Sequence, residues 1–523
     1  MFKKKMKQIK FLATLFFLVA VLQNTCFSQY QVGDTLSFWS VTYIDWPPLQ
    51  NAPQRQLDAV CKKAGNHCYI FVEENAQVPP QAYMDSLINK FDHHFYDSLT
   101  FRYGPVPDVF DHDSNIFILV LNEYDWSGYF DPGQQMSDSI VYARWNRHSS
   151  EREIIYLAAN AFSYAEEIVS HEFGHLLHWQ QDHSPEPLDN PVQFWEDTWV
   201  DEGFSTFAAE YLTVNLYQQN VPDYEAFFTY DPDIPLIYFS DYNQVKLFMT
   251  FMFEHFGKWN YITELISNQL NGIKGIDNTL DSLGFRESFD DAFEQWVIAN
   301  FIDDPDYAGG KYSYLHFNFI NPCFINASYH SFPTDLVSTT IHSYGADYIS
   351  FSPSESESVT IDFNGLTNNK FRVDFIIINS ATDKVDTIIG MVPDCCNHIS
   401  FTTDGFGIPN YEVVMAVMCV DSTIAEGNRA SYNYQANCFT EIEENNAQHN
   451  ISVFPNPAKE AFSIFTFSDD NTFIQLLDIK GNVILSDNFV RNTSVNISNL
   501  AKGLYLLKLR NCKKSYIKKI IKE

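Results

Sequence analysis

The chain is poor in basic residues. Its 523 residues include 33 Lys and Arg against 66 Asp and Glu, which gives a formal net charge of −33 at pH 7. Proteins that bind nucleic acid neutralise phosphates with basic side chains. This composition therefore argues against a nucleic-acid partner, and we interpret the acidity as a source of solubility outside the cell.

Long hydrophobic runs are also missing after the first 28 residues. A transmembrane helix needs about 20 apolar residues, and no later stretch approaches that length, so we expect no transmembrane segment in the mature chain. Residues 1–28 predict a secretory signal peptide: a Lys-rich start precedes the apolar run from Phe11 to Leu22, and Cys26-Phe27-Ser28 offers small residues for cleavage.

Nine cysteines fit an oxidising compartment better than a metal framework. Cys61 and Cys68 are close enough in sequence to form a local disulfide bond. The adjacent residues Cys395 and Cys396 are expected to find separate partners, and the connectivity cannot be read from the sequence.

The motif that carries the most chemistry is His171-Glu172-Phe173-Gly174-His175, which fits the pattern H-E-x-x-H. The flanking sequence contains no Pro and predicts a helix. Residues four apart lie on one helix face, so His171 and His175 can offer two imidazoles to one metal ion. Glu172 then lies beside the metal, where it can accept a proton from a water molecule.

A third ligand is predicted in the segment Trp199 to Tyr211. Catalytic zinc takes three protein ligands and keeps one position for water. Glu202 lies near the start of a second predicted amphipathic helix and supplies the missing carboxylate. A carboxylate stabilised by the helix dipole is the alternative for this residue taken alone.

A different zinc architecture adds a third His six residues after the second, with Gly midway. Here the Gly position is His178 and the third-ligand position is Gln181, while His183 lies two residues too late. This spacing argues against that architecture. His178 and His183 could contact the ligands or the substrate, but solvated surface histidines are the favoured interpretation.

Together, H-E-F-G-H and W-V-D-E-G-F-S-T-F-A-A-E-Y resemble secreted bacterial gluzincin-type metallopeptidases of the hyicolysin kind, whose second motif reads W-x-N-E-G-x-S-x-x-A. The resemblance covers roughly residues 60 to 260. It implies an α+β fold in which a zincin-type mixed sheet and a helical part form a metallopeptidase domain over residues 66–330. Asp201 departs from the family pattern, which has Asn at that position.

The resemblance also implies roles for the site. His171, His175 and Glu202 would hold one zinc ion, and Glu172 would act as general base on a zinc-activated water. Resembling enzymes use a Tyr or His on a later helix to stabilise the developing oxyanion. Tyr242 is the first candidate for that donor and Tyr238 the second, with aromatic packing as the alternative.

The C-terminal end has a different character. Residues 441–450 are polar and predict a linker, and residues 451–523 predict a small β-sandwich of short strands. Its P-N-P start, D-x-x-G middle and G-x-Y final strand resemble the C-terminal sorting domain of the Bacteroidetes type IX secretion system. That resemblance implies contact with the secretion machinery and a secreted or surface-attached product, with an ordinary binding module as the alternative.

The remaining segments are less specific. Residues 29–65 are expected to form an N-terminal extension or short prosegment, and residues 161–305 are expected to be mostly helical. Residues 335–440 alternate like strands and predict an accessory β-sandwich. The oxygens of Asp108, Asp111, Asp113 and Asn115 could hold a structural calcium ion, although a solvated turn is the favoured interpretation.

The sequence as a whole favours a secreted zinc metallopeptidase that acts on extracellular proteins or peptides. The main alternative is a catalytically weak or inactive binding protein, adhesin-like, on a metallopeptidase scaffold. A metal-dependent hydrolase of another amide bond is the third hypothesis.

Overall fold

The computed structural model describes residues 29–42, 52–107, 110–122, 126–182, 196–213, 231–315, 323–352, 358–366, 368–404, 406, 411–439, 451–466, 472–479, 481–510 and 515–523. The chain divides into two compact units. The first runs to Phe324 and takes in the later segments His342–Ala346 and Ser422–Asn428, and the second contains the rest of the chain from Ile325 onward. The predicted signal peptide and the linker at 441–450 lie outside the described residues.

The first unit contains a six-stranded mixed sheet. Its strands are β1 (Thr35–Val41), β2 (Gln54–Ala64), β3 (Cys68–Glu73), β4 (Ile116–Leu121), β5 (Gly128–Phe130) and β6 (Ile154–Ala158). They lie in the order β1-β2-β3-β4-β6-β5. β3, β4 and β6 are parallel neighbours and are buried along their whole length, which explains why they read as continuous apolar runs. β5 pairs antiparallel with β6 and forms one edge of the sheet.

Residues 29–65, expected to form an N-terminal extension or short prosegment, contribute two strands to this sheet. β1 pairs with β2 from Thr35↔Val60 to Val41↔Gln54, and β2 pairs in turn with β3. Apolar side chains of both strands, including Phe38 and Leu57, belong to the same core cluster as Phe117 of β4. Because these strands complete the sheet, this segment is part of the folded first unit.

The expected Cys61–Cys68 disulfide is also wrong, since both residues are buried free thiols. The register of β2 and β3 gives the reason: Cys61 lies opposite Phe71, three residues from Cys68 along the strand. Three residues of strand span about 10 Å, whereas a disulfide requires Cα atoms about 4.4–6.8 Å apart. Cys396 is disulfide-bonded, and its sulfur lies 3.9 Å from that of Cys395, in keeping with the expectation that the two do not bond each other.

The helices of the first unit are α1 (Gln81–Lys90), α2 (Tyr96–Tyr103), α3 (Asp138–Trp145), α4 (Ala165–Asp182), α5 (Thr198–Thr213), α6 (Tyr242–His255), α7 (Trp259–Ile266), α8 (Gly272–Ser282) and α9 (Phe289–Ile302). Glycines allow close contact between α4, α5 and α6, the three helices at the centre of this unit. A Cβ on Gly174 of α4 would lie 3.0 Å from Ser205 Cα of α5, and one on Gly203 of α5 would lie 3.4 Å from the Met249 side chain of α6. The backbones of α4 and α5 therefore approach each other closely.

The described residues of the second unit form four β-sheets. Residues 327–439 supply β7 (Ala327–Tyr329), β8 (Val337–His342), β9 (Ala346–Phe351), β10 (Ser358–Gly365), β11 (Phe371–Asn379), β12 (Lys384–Met391), β13 (His398–Asp404), β14 (Tyr411–Cys419) and β15 (Arg429–Phe439). They form a four-stranded sheet, β13-β10-β15-β8, and a five-stranded sheet, β12-β11-β14-β9-β7. Phe375 of β11 stacks on Phe401 of β13 with ring centroids 4.0 Å apart, so the two sheets pack face to face.

The last part of the chain forms a smaller pair of sheets, with orders β16-β17-β20 and β19-β18-β21-β22. Their strands are β16 (Ile451–Phe454), β17 (Ala461–Thr466), β18 (Thr472–Leu477), β19 (Val483–Phe489), β20 (Asn492–Asn496), β21 (Gly503–Arg510) and β22 (Ser515–Lys522). Ile520 of β22 is fully buried in this core. Ala458 N donates to Ile521 O at 2.8 Å and Glu523 N donates to Ala458 O at 3.0 Å, so the final residues pair with the start of the domain.

The first unit combines helices with a mixed sheet, and the C-terminal parts of the chain are rich in β-strands. This composition confirms the expected α+β class. None of the helices within the described ranges has both the length and the apolar character needed to cross a membrane.

Candidate metal centre

Helix α4 presents His171 and His175 toward one point. Their Nε2 atoms lie 3.1 Å apart, and their rings meet edge to face with centroids at 4.7 Å. The spacing of four residues on an uninterrupted helix produces this arrangement, as the sequence predicts. His175 is buried, whereas the His171 side chain is 17% exposed, so the point between them lies at the surface end of a buried site.

Helix α5 brings Glu202 to the same point. Its Oε2 atom lies 3.3 Å from His171 Nε2 and 3.5 Å from His175 Nε2, and the potential ligand atoms of the three residues all lie within 4.8 Å of one another. The close approach of α4 and α5 at Gly174 makes this convergence possible. Burial opposes ionisation of Glu202, but the adjacent imidazoles of His175 and His171 lower its pKa to about 2, so it is a carboxylate at neutral pH.

These three atoms fit the donor set of a zinc ion. In a tetrahedral site with bonds of about 2.0–2.2 Å, neighbouring ligand atoms lie roughly 3.3–3.6 Å apart. The observed separations of 3.1, 3.3 and 3.5 Å are close to that edge length. Glu202 Oε2 is buried and makes no hydrogen bond within the described part of the chain, although two ring nitrogens face it. A buried carboxylate oxygen without a hydrogen-bond partner is expected where that oxygen is a ligand of a metal ion.

Glu172 lies next to this triangle but outside it. Its side chain is buried, and burial raises its pKa while the neighbouring His171 and His175 oppose the rise. A Cβ placed on Gly128 would lie 3.5 Å from Glu172 Oε1, so the edge strand β5 passes directly beside this carboxyl group. The arrangement leaves Glu172 able to exchange a proton with a molecule bound between the helix and the strand.

Asp201 connects the candidate ligand His175 to a second histidine. Its Oδ2 atom lies 2.9 Å from His175 Nδ1, and its Oδ1 atom lies 2.6 Å from His178 Nδ1. Burial would raise the pKa of Asp201, but the two imidazoles hold it well below its usual range. A carboxylate that accepts a hydrogen bond from Nδ1 leaves Nε2 of His175 with its lone pair for a metal.

Of the two tyrosine candidates, Tyr242 lies at the site. Its ring centroid is 6.0 Å from that of His171, and the side chain is 51% exposed. Burial together with the negative charges of Glu202 and Glu172 raises its pKa, so the hydroxyl keeps its proton and can donate. Tyr238 instead donates its hydroxyl to the carbonyl of Ile424 at 2.5 Å and is occupied there.

The other sequence candidates take different positions. Gln181 packs against Gly104, where a Cβ would lie 2.4 Å from its amide carbon, and His183 lies outside the described residues. His178 is buried at 1% exposure, so the interpretation of a solvated surface histidine is wrong for it. The sequence carries a signal for this pair: His178 lies three residues after His175, and Asp201 is an acidic residue directly before Glu202.

The proposed calcium ligands form a turn. Asp111 Oδ1 accepts from Asp113 N at 3.1 Å, and Asp113 accepts from Asn115 N at 3.2 Å and from the Tyr69 hydroxyl at 2.7 Å. Asp108 lies outside the described residues. These contacts fit the turn that the sequence favours, but Asp113 and Asn115 are buried in it rather than solvated.

Comparison with protein families identifies the C-terminal part. Residues 452–523 match the secretion system C-terminal sorting domain, in agreement with the type IX resemblance of this segment. The protein is therefore secreted or displayed at the cell surface of a Bacteroidetes bacterium, and its partners include the secretion machinery. No curated protein matches the chain.

Several solved structures are similar to parts of this chain. A DUF3244 family protein with an immunoglobulin-like β-sandwich from Bacteroides vulgatus is 18% identical, with 15% of this chain and 88% of that chain covered and a TM-score of 0.14. The pre-peptidase C-terminal domain of a collagenase from Bacillus anthracis is 11% identical, with 22% and 99% covered and a TM-score of 0.16. A glycoside hydrolase domain, Endo-D from Streptococcus pneumoniae, is 10% identical, with 36% and 33% covered and a TM-score of 0.15. Likeness at this level indicates nothing about the activity of the first unit.

Proposed function

We propose that this protein is a secreted zinc-dependent peptidase, an endopeptidase that hydrolyses extracellular proteins. The observation that supports this most strongly is the convergence of His171, His175 and Glu202 within 3.5 Å of one another through the Nε2 and Oε2 atoms. Glu172 is buried beside this set without belonging to it. A purely structural zinc site uses four protein ligands, whereas three ligands and an adjacent free carboxylate are typical of a hydrolytic site.

A zinc ion held by these three residues would polarise a water molecule and a substrate carbonyl, lowering the pKa of the water from 15.7 to about 7. Glu172 accepts the proton of the attacking water and passes it to the amine that leaves. Its pKa, raised by burial, brings this carboxyl closer to the pH at which it must both take and release a proton. Tyr242, which keeps its proton, donates a hydrogen bond to the carbonyl oxygen as negative charge develops there.

The position of β5 at the edge of the described sheet supports a peptide as the substrate. β5 is the last strand in the order of the sheet and pairs with β6 on one side. Its Gly128 lies against Glu172, so the strand runs past the reacting centre. An extended peptide can add to such an edge through main-chain hydrogen bonds, which would hold one peptide bond next to the general base.

The test uses protein spanning residues 29–523, with casein as substrate and zinc content measured in parallel. We expect one zinc ion per chain, casein cleavage that stops with a chelator and returns with added zinc, and a loss of at least about 10²-fold in kcat for Glu172→Gln. Zinc binding should survive in Glu172→Gln, because Glu172 is not a ligand. Glu166→Gln is the matched control: Glu166 lies on the same helix, five residues before His171, and is outside the ligand set, so this variant should keep full activity.

Two results would count against the proposal in different ways. Casein cleavage that persists in Glu172→Gln would exclude the mechanism. Stoichiometric zinc without cleavage of any protein or peptide would favour the alternative of a binding protein on a metallopeptidase scaffold.

A further inference from the structure

The carboxylate of Asp201 is shared by two imidazoles of one helix. His175 Nδ1 lies 2.9 Å from Oδ2, and His178 Nδ1 lies 2.6 Å from Oδ1. The two histidines are three residues apart on α4, a spacing that places both on the face that meets α5. Each carboxylate oxygen thus accepts a hydrogen bond from its own N–H donor. The two hydrogen bonds together fix the orientation of the carboxylate.

His178 is itself held firmly. It is buried at 1% exposure, and its ring meets that of Phe204 of α5 edge to face with centroids 4.7 Å apart. Its Nε2 atom is buried and has no hydrogen-bond partner among the described residues. The polar contact of the His178 ring is therefore the hydrogen bond from Nδ1 to Asp201 Oδ1.

The consequence concerns the orientation of a metal ligand. A carboxylate with one donor can rotate about its Cβ–Cγ bond, whereas a carboxylate with a donor at each oxygen cannot rotate without breaking a charge-assisted hydrogen bond. His175 depends on Oδ2 to hold its ring with Nε2 aimed at the metal position. Loss of the donor on Oδ1 would loosen that ring although no ligand had been removed.

We propose that His178 is a positioning residue for the metal centre, which acts through Asp201 to orient the ligand His175. This inference rests on the proposed zinc function of the site. It assigns a role to the acidic residue that replaces the family's Asn: Asp201 can accept from two imidazoles at once, whereas an Asn side chain has a single acceptor oxygen.

The test compares two amide substitutions. His178→Asn places an N–H donor near the position of Nδ1, whereas His178→Gln places it near Nε2, too far along the side chain to reach Asp201. Zinc affinity is measured by competition with a chromophoric chelator. The absorption spectrum of the cobalt-substituted protein reports the geometry around the metal independently of activity. We expect His178→Gln to weaken zinc binding by about 10–100-fold and to alter the cobalt spectrum, and His178→Asn to stay within about 3-fold of the wild type.

A second comparison shows whether the effect passes through Asp201. Asp201→Asn and the double variant Asp201→Asn/His178→Gln should have the same zinc affinity, because residues that act in series are not additive. His148→Ala is the matched control, since its Nδ1 also faces a carboxylate, Asp138 Oδ1 at 3.1 Å, and it should bind zinc as the wild type does. If His178→Gln does not fold, His178→Ala takes its place.

Wild-type zinc affinity in the Gln variant, equal losses in the Asn and Gln variants, or additive losses in the double variant would each overturn the proposal. Failure of the proposed function itself is seen separately, because the wild-type protein would then bind no zinc or cleave no casein.

Discussion

Asp201 lies one residue before the proposed ligand Glu202, and its carboxylate is hydrogen-bonded to two ring nitrogens. On the proposed function, Glu202 would supply an oxygen to the metal, and Asp201 would orient the nitrogen ligand His175 of α4. This division explains how an extra negative charge next to the centre is tolerated. The two imidazoles that face it neutralise part of that charge and lower its pKa.

A single hydroxyl should contribute to turnover without affecting metal binding. Tyr242→Phe removes the proposed donor to the carbonyl oxygen, and the loss of one such donor typically lowers kcat by about 10²–10³-fold. KM and zinc content should change little, because the ring remains beside His171. Tyr238→Phe is the control: its hydroxyl binds the Ile424 carbonyl, so its removal should leave kcat unaltered. Equal kcat for Tyr242→Phe and the wild type would remove Tyr242 from the mechanism.

Glu196 predicts a pH dependence of stability. Burial raises its pKa to about 8, although the nearby charge of His178 and two backbone N–H donors oppose the rise. Asp182 and Asp201 line the same cavity with negative charge. Because the folded protein holds this proton more tightly than the unfolded chain, the stabilisation is complete below about pH 4.5 and is lost as the pH rises through 8.

Glu196→Gln removes that ionisation and keeps an acceptor oxygen for the two backbone donors. Its free energy of unfolding relative to the wild type should increase by at least ~1 kcal/mol between pH 5 and pH 9, since one pKa unit corresponds to ~1.4 kcal/mol. Denaturant titrations of zinc-saturated protein at the two pH values measure this difference. Glu264→Gln, an exposed carboxyl on α7, is the control. Parallel pH profiles for Glu196→Gln and the wild type would contradict the prediction.

The sequence predicts His171, Glu172 and His175 because their geometry is local and follows from helix periodicity. It predicts Glu202 by spacing and family pattern, and the structure brings Glu202 to the same point. It does not predict the role of His178. Whether a histidine three residues past a ligand faces solvent or a neighbouring helix depends on how α4 and α5 pack, which periodicity alone does not determine.

Packing between α4 and α5 makes its own prediction. Gly174→Ala places a Cβ 3.0 Å from Ser205 Cα, and a backbone atom cannot move aside as a side chain can. We expect α5 to shift, with a loss of about 1–3 kcal/mol in stability and a weaker affinity for zinc, because Glu202 moves with its helix. Thermal unfolding and chelator competition measure the two effects.

Gly203→Ala is the matched control on α5. Its Cβ would meet the flexible end of Met249 at 3.4 Å, which can adjust. The substitution should be neutral or slightly stabilising, because Ala is favoured over Gly within helices by about 1 kcal/mol. If both glycine variants bind zinc equally well, the spacing of α4 and α5 does not determine the position of Glu202.

At the scale of elements, the buried strand β4 and the helical character of residues 161–305 follow from the sequence, since long apolar runs and periodicity are local signals. The position of β1 and β2 in the sheet does not follow from the sequence. Their membership of the sheet depends on pairing with β3, and strand pairing is a non-local interaction. The same register places Cys61 and Cys68 too far apart for the disulfide that their short separation in sequence suggests.

For the whole molecule, export and catalysis should be separable. Deletion of residues 452–523 removes the matched sorting domain, and we expect the shortened protein to be absent from the culture medium and the cell surface. Immunoblots of fractionated cells measure this. Full-length Glu172→Gln is the control and should be exported like the wild type, which shows that export does not depend on activity. Normal export of the shortened chain would mean that another segment directs it.

The final strand has a consequence for how the cell handles incomplete chains. β22 holds the buried residue Ile520, and Glu523, the last residue, pairs with Ala458 at the other end of the domain. A polypeptide that lacks β22, through a nonsense codon or a protease, lacks the strand that closes this core. The sorting domain can thus fold only in molecules that contain β22, so we expect shortened copies to be retained rather than released.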